Sequence, residues 1–423
     1  MQPLLKGNKL TVKSLINKLA YFAVFAYIVS AISCEMVENT AFISTIAIYL
    51  VFAVGVLFVI MSDRIIINEY VVLFAAFCAY VFIMTSSPEI SGNKGTEVAY
   101  WLFTCVVLCI LVFWMSSHFD NFVPIAMAAY IIGALILVLR VIDAYDGIVG
   151  IIELAVKEGE TRVGNLIGNE NALGLFFSTG ILCSLVFFIK SKRVIVKILM
   201  IAAILVLGCM MLLTGSRKSL AFAIIGIILI VCFGYRKAKL GKRFTAIIVL
   251  VMALVAIYVL ITTLPIFSTI NERFSLLFES FLGSDTSYDT DNNRKIMIER
   301  GLEAFYQKPL FGHGAGYSRV LFGTYSHNNF VELLMNYGFV GFCLYYSFYI
   351  VLAIKLLKQA LKSDLYAVFF FTYVCIQLVL GVGWVNYYSR PCQVITALAF
   401  GYLLSIEIKK KKGIGKDEIK ESV

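Results

Sequence analysis

Residues 194–264 read VIVKILMIAAILVLGCMMLLTGSRKSLAFAIIGIILIVCFGYRKAKLGKRFTAIIVLVMALVAIYVLITTL. Three apolar runs, 194–213, 219–235 and 244–264, are separated by the short turn TGSRKS and by the basic turn around YRKAKLGKR. A helix needs about 20 consecutive apolar residues to cross a bilayer. In hydrocarbon every backbone N–H and C=O must be satisfied within its own segment, so each run is predicted to be a transmembrane helix.

Working outward, the same pattern gives further spans at 19–34, 41–61, 69–85, 99–115, 122–142, 171–189, 328–354, 365–384 and 391–408, about twelve in all, with 141–152 ambiguous. The 423 residues are 61% hydrophobic and only 15% charged. Soluble domains carry about 25% charged residues, so the bilayer is the solvent for most of this chain. The expected class is all-α, a polytopic helical bundle forming one integral membrane unit over 1–423. The run at 19–34 ends at Cys34-Glu35 without a small-residue cleavage site and reads as an uncleaved first span.

The formal net charge of +10 does not point to nucleic acid, because of where the charge lies. With the N-terminus inside, the inner segments collect Lys6, Lys9, Lys13, Lys18 and Arg64, the 190–197 and 236–243 clusters, Lys355, Lys358, Lys362 and the tail from Lys409. Acidic residues gather mostly on the other side. The excess of Lys and Arg sets orientation, so both termini are expected in the cytoplasm, facing anionic inner-leaflet lipid. The ten cysteines show no CxxC spacing, and most sit inside apolar runs, Cys105/Cys109 sharing one helix face; they read as small packing hydrophobes.

Two outer segments are long, Asp143–Glu170 and Thr262–His327. Loops of that size usually carry function or their own structure. Within 262–327, the large extracytoplasmic loop between the ninth and tenth spans, Ile296, Ile298, Leu302 and Phe305 predict an amphipathic interfacial helix over 292–305, capped by Asp291 and ended at Lys308-Pro309. Asp289 and Asp291 have metal-binding DxD spacing, but they read as a solvated loop ending in that cap, and no metal is expected. Gly312-His313-Gly314-Ala315-Gly316 mimics a phosphate loop but follows no strand.

Three patches fall on the outer side. In TRVGNLIGNENALG, 161–174, Arg162 offers a planar, permanently charged fork suited to phosphate; the plain alternative is a loop with a helix start at Asn169. In LLTGSRKSLAF, 212–222, Arg217 and Lys218 stand at the edge of the apolar core, where a cation snorkels or faces a polar cavity. Snorkelling suits Lys218 better than Arg217. In PLFGHGAGYSRVLFGTYSHNNFVELLMNYGFVGF, 309–342, His327 stands where the loop enters a span. An imidazole titrates near neutral pH and can take a proton from a hydroxyl, although a hydrogen-bonding helix start is the structural alternative. His118 reads as a solvated loop residue and His313 as a glycine-loop residue. Two arginines and one histidine on one face could transfer a group from a lipid diphosphate to a hydroxyl, with the arginines steadying the leaving diphosphate.

These residues resemble the O-antigen ligase and O-antigen/capsular polysaccharide polymerase superfamily, by motif over about 160–345 and by span layout over the whole chain. Arg162-Val-Gly-Asn-Leu166 is similar to its RX3L element and Thr214-Gly-Ser-Arg217 to its second arginine motif. His327-Asn328, nine residues, then Gly338-Phe-Val-Gly341 is similar to its H[NSQ]X9GXXG signature. The stretch from Arg294 to Pro309-Leu-Phe-Gly312-His-Gly314 resembles the segment preceding that histidine. The resemblance implies a membrane glycosyltransferase C-like bundle, a glycan donor on polyprenyl diphosphate, and a metal-independent inverting transfer without a cofactor. His327 would be the base and Arg162 and Arg217 would hold the diphosphate. Arg294, Asn328 and Glu332 would be further substrate contacts; Arg319 is grouped with them, while Tyr325 and Arg390 take no role.

The leading expectation is a polysaccharide polymerase in a bacterial cytoplasmic membrane, extending a lipid-linked repeat unit. A ligase would share the donor chemistry and differ in acceptor. A lipid-linked glycan transporter is the third reading, disfavoured because ionisable residues crowd one face rather than mid-span. The implied partners are membrane lipid, the glycan donor and acceptor, and a lipid-linked glycan flippase and chain-length regulator.

Overall fold

The computed structural model describes residues 3–35, 37–62, 65–86, 94–118, 121–157, 162–272, 275 and 289–411. They form helices α1 (Pro3–Ser33), α2 (Ala41–Met61), α3 (Glu69–Ile83), α4 (Lys94–Ser117), α5 (Phe122–Ala144), α6 (Ile148–Lys157), α7 (Glu170–Lys190) and α8 (Val194–Leu213). These are followed by α9 (Arg217–Gly234), α10 (Leu240–Thr263), α11 (Asp289–Gln307), α12 (Tyr317–Phe322), α13 (Asn329–Ala360), α14 (Leu365–Leu380) and α15 (Arg390–Lys411). Among the described residues there is no strand. Eleven of the described helices are long and apolar enough to cross a membrane, and α14 is a shorter apolar one. Each of the twelve apolar runs read from the sequence falls on one of these helices, so the protein is a polytopic membrane helical bundle.

Between α5 and α7 the ambiguous stretch resolves into a turn and the separate helix α6. The helix expected over 292–305 lies inside α11, which begins earlier, so Asp291 falls within the helix rather than at its cap. The expected span at 365–384 stops at Leu380, and Gly381–Ser389 is loop.

Helix α7 is the most enclosed of the spans and α10 lies almost wholly on the periphery. Without a hydrophobic drive between helices in lipid, close packing depends on small residues. Gly174 of α7 fits that role, since a Cβ there would lie 2.4 Å from Ser219 Oγ of α9. Ser178 Oγ also donates to the Ser219 carbonyl at 2.9 Å. The close approach brings together the first turns of α7 and α9, which follow Arg162 and begin with Arg217.

The expected continuous span 328–354 is instead broken. Within α13, Gly338 has φ 63° and ψ −167°, splitting it into Asn329–Tyr337 and Phe339–Ala360. A break inside a membrane helix strands backbone groups that lipid cannot satisfy. Here the loop 309–314 satisfies them. His313 N–H donates to the Met335 carbonyl at 2.9 Å and Gly314 N–H to that of Asn336 at 2.8 Å. Phe339 and Val340 N–H donate to the Pro309 and Leu310 carbonyls at 2.8 and 3.1 Å. Tyr80 Oη of α3 donates to the Tyr337 carbonyl at 3.0 Å. Two glycines make this approach possible: a Cβ at Gly338 would meet the Leu310 carbonyl at 2.4 Å, and one at Gly312 the Asn336 carbonyl at 2.6 Å. The two glycine motifs are thus the two halves of one backbone stitch.

Candidate functional site

The first element of the site is the 162–168 loop. Val163 N–H donates to the Leu213 carbonyl at 3.1 Å, hanging the loop on the end of α8. Tyr145 Oη holds its middle, accepting from Gly164 N–H at 2.8 Å. Asn169 caps α7, accepting from the N–H groups of Asn171 and Ala172, the helix start that was the plain reading of this patch. The Arg162 guanidinium lies across the α8–α9 turn. Its Nε donates to the Thr214 carbonyl at 2.8 Å and its Nη2 to Asn171 Oδ1 at 3.1 Å, while Nη1 pairs with Glu170 Oε2 at 3.4 Å. Three contacts fix the plane of a group that carries five N–H donors. Ser216 caps α9 and donates from Oγ to Asn171 Oδ1 at 3.0 Å. Arg217, the next residue, is half-buried at the α9 N-terminus. The two arginine motifs, far apart in sequence, therefore share Asn171 and the Thr214–Ser216 turn.

His327 is held in the left-handed region at φ 58°, where a non-glycine residue is strained. The hydrogen bonds around it explain how it stays there. Buried Glu332 Oε2 accepts from Ser326 N–H at 2.8 Å and Ser326 Oγ at 3.0 Å. Ser326 Oγ also lies 2.9 Å from the Asn328 carbonyl. Asn328 Oδ1 caps α13, accepting from Phe330 and Val331 N–H at 3.0 and 3.1 Å. Asn328 and Glu332, expected as substrate contacts, thus have their side-chain oxygens engaged in clamping the turn that presents His327. The Tyr325 ring packs on the imidazole with centroids 4.2 Å apart. Burial, followed by the positive charges of Arg294 on α11 and Lys218 on α9, holds the His327 imidazole below the ordinary histidine range.

Lys218 does not snorkel: its Nζ donates to the Gly383 carbonyl at 2.6 Å, and its charge reaches His327. The Arg319 guanidinium of α12 lies 4.7 Å from the Trp101 ring centre and pairs with Glu97 at 3.2 Å. His313 is a buried packing residue, Nε2 lying 2.8 Å from the Ala304 carbonyl and its ring stacked on Tyr317 at 4.2 Å. His118 lies against Phe58, with Nδ1 2.8 Å from the Trp114 carbonyl. The side chains of Asp289 and Asp291 lie outside the described residues. Among the described residues no group of three or more His, Cys, Asp or Glu is arranged to hold a metal ion.

The sequence reading missed the loop Gly381–Ser389. Buried Asn329, directly after the cap, donates its N–H to the Gly381 carbonyl at 2.7 Å. Its Oδ1 accepts from Asn386 and Tyr387 N–H at 3.0 and 3.2 Å. The loop is thereby bound to the His327 turn, and beside it opens a cavity of about 400 Å³ reaching from Asn169 and Ala172 of α7 to Tyr325. The run WVNYYSR at 384–390 carried the signal, a burst of polar and aromatic residues where an apolar span was ending.

The α7, α9 and α13 N-termini, with Arg162, Arg217, Lys218, Arg294 and His327, thus lie at one end of the bundle. Helix N-termini carry about half a positive charge each, so this end suits an anion beside a neutral imidazole. A search of curated proteins finds no match to the chain. Residues 201–346, which include the Thr214–Arg217 turn, Arg294, the His327 turn and the Gly338 break, match the family model described as O-antigen ligase.

Proposed function

We propose that the protein is a polysaccharide polymerase acting at the outer face of a bacterial cytoplasmic membrane, with both termini in the cytoplasm. It transfers a glycan from polyprenyl diphosphate to a hydroxyl of a lipid-linked repeat unit, without a metal. The observation that carries the reading is the gathering of cations around an imidazole whose pKa is lowered. A neutral imidazole at physiological pH is ready to act as a base. His327 takes the proton of the acceptor hydroxyl as its oxygen bonds to the anomeric carbon of the donor sugar. The bond from that carbon to the diphosphate oxygen breaks, and the diphosphate leaves with the electron pair. Attack opposite the leaving group inverts the anomeric centre. Arg217, Arg162 and the helix N-termini would steady the leaving charge, and Arg294 and Lys218 would keep His327 neutral. Ser326, Asn328 and Glu332 position the base.

The O-antigen ligase description of the matching segment supports a second reading in which the donor chemistry is the same and the glycan passes to a different acceptor. One assay separates the readings. Protein in proteoliposomes is given a lipid-diphosphate-linked repeat unit, comparing wild type, His327→Ala and Arg217→Ala, with and without EDTA. The polymerase reading expects glycan lengthening, unaffected by EDTA, and at least about a hundredfold loss in each variant. Transfer only to an added acceptor makes the protein a ligase. Protein-dependent passage of labelled lipid across the bilayer with no transfer would make it a transporter.

A further inference from the structure

The cavity beside the site is built unlike the arginine cluster. Trp101 of α4, Trp384, Tyr388 and Tyr325 bring aromatic rings to its wall, and Glu35 and Arg390 bring one charge of each sign. Trp101 and Tyr388 have ring centroids 6.0 Å apart, and Tyr325 is the residue packed on His327. Among the described residues the buried Glu35 Oε2 has no hydrogen-bond partner, a state that costs free energy unless a ligand or water satisfies it. Burial pushes the Glu35 carboxyl up and the Arg390 charge pulls it down. The two side chains offset one another's charge, so the cavity does not select a strongly anionic group.

Carbon-bound hydrogens of a sugar ring pack on aromatic faces, and its hydroxyls donate to carboxylates. Such pockets are mostly apolar, with a few well-placed polar groups fixing orientation. We propose that this cavity binds one uncharged pyranose ring of the lipid-linked glycan, with Glu35 accepting from its hydroxyls and Trp101, Trp384 and Tyr388 flanking its faces. The proposal rests on the transferase reading and names a sugar subsite within it. Its wall is continuous with the reacting end: Lys218 holds Gly383 and Asn329 holds Asn386 and Tyr387. A ring seated there lies one aromatic side chain, Tyr325, away from His327.

The test uses intrinsic fluorescence, because two of the three tryptophans line the cavity. The third, Trp114, lies elsewhere, donating to the Ile66 carbonyl at 2.8 Å. Full-length Trp114→Phe protein in detergent is titrated with the repeat-unit oligosaccharide released from the producing cell's surface polysaccharide, and separately with sugar-free undecaprenyl diphosphate. The expected result is a saturable emission change with the oligosaccharide, weakened at least tenfold by Glu35→Gln in protein whose melting is unchanged, and reduced in amplitude by Trp384→Phe. Absence of a saturable change, or equal binding by Glu35→Gln, overturns the proposal. So does a signal from sugar-free undecaprenyl diphosphate that Glu35→Gln abolishes, since the cavity would then hold the lipid headgroup. Steady-state transfer distinguishes the source of the ring: Glu35→Gln raises the KM of the acceptor alone if the ring is the acceptor's, and of the donor alone if it is the donor's; an unchanged KM for both overturns the subsite. Binding is read without turnover, so failure of the transferase reading and failure of the sugar subsite are seen separately.

Discussion

Glu332→Ala is expected to cost turnover rather than substrate affinity. The Glu332 carboxylate receives both the N–H and the hydroxyl of Ser326 at 2.8 and 3.0 Å. Hydrogen bonds contribute about 0.5–1.5 kcal/mol each to a neutral carboxyl and about 1.5–3 kcal/mol each to a charged one, so the pair supplies roughly 1–6 kcal/mol. Against it stands the left-handed backbone of His327 at φ 58°, a strain of about 1–2 kcal/mol. The clamp wins, and the turn holds. Alanine removes the clamp, leaves a buried N–H unpaired at about 1–3 kcal/mol, and lets the strain relax the turn. Displacing a reacting group by about 1 Å lowers rate by about a hundredfold, so kcat should fall about that far with KM little changed. Glutamine can place its amide oxygen where Oε2 sits and accept both bonds at neutral strength, about 0.5–1.5 kcal/mol each; that is close to the strain, and a loss of about tenfold or less is expected. The measurement is kcat and KM for donor and acceptor in the transfer assay, with melting curves to confirm folding. A raised KM with kcat retained would show that Glu332 touches substrate, and a Glu332→Gln loss equal to that of Glu332→Ala would refute the positioning argument.

Arg294→Gln removes one of the two cations that lower the His327 pKa, so that pKa rises toward its ordinary value and the acid limb of the pH–kcat profile moves to higher pH; Lys218→Met should move it the same way. Arg162→Lys cannot span the Thr214 carbonyl, Asn171 and Glu170 with one ammonium, and at about 1.5–3 kcal/mol per lost charged bond a fall of at least about tenfold in kcat/KM is expected in the same assay. Gly338→Ala meets the Leu310 carbonyl at 2.4 Å in a backbone region open to glycine, where the backbone strain alone costs about 1–3 kcal/mol. Its melting temperature and yield should drop, while Gly208→Ala, where a Cβ meets nothing within 4 Å, should leave both near wild type.

The spans were legible because hydrophobic length is a property of local sequence, and the twelve runs all became helices. The break at Gly338 was not, since NFVELLMNYGFVGFCLYY keeps its apolar character straight through it. Only the recurrence of glycines at 312, 314 and 338 hinted that two backbones approach each other. In the candidate site the residues with unusual chemistry stood out: Arg162, Arg217, Arg294 and His327. Their partners did not, because Thr214, Asn171 and Gly383 are ordinary residues brought in by packing. That Asn328 and Glu332 hold the His327 turn was hidden for a related reason. A carboxylate next to a histidine looks the same in sequence whether it faces a ligand or its own backbone, and only the position of Ser326 N–H decides. Arg319 was grouped with the site by charge and side, and it pairs with Glu97 and lies against Trp101 of the cavity wall.

The stitched break has a mechanical consequence. Asn329–Tyr337 is a short strut fastened at one end by the cap and the Gly381–Tyr387 loop and at the other by the 309–314 loop. The remainder of α13, Phe339–Ala360, joins this strut at Gly338 and is tied to it twice more: Phe339 and Val340 are held by the same 309–314 loop, and Tyr346 Oη accepts from Asn329 Nδ2 at 2.8 Å. Membrane helices answer changes of bilayer thickness by tilting. A tilt of Phe339–Ala360 is therefore passed through the 309–314 loop and the Asn329–Tyr346 bond to the turn that carries His327. The geometry of the base is coupled to the thickness of the membrane in which it works, so turnover should differ between bilayers of short and long acyl chains.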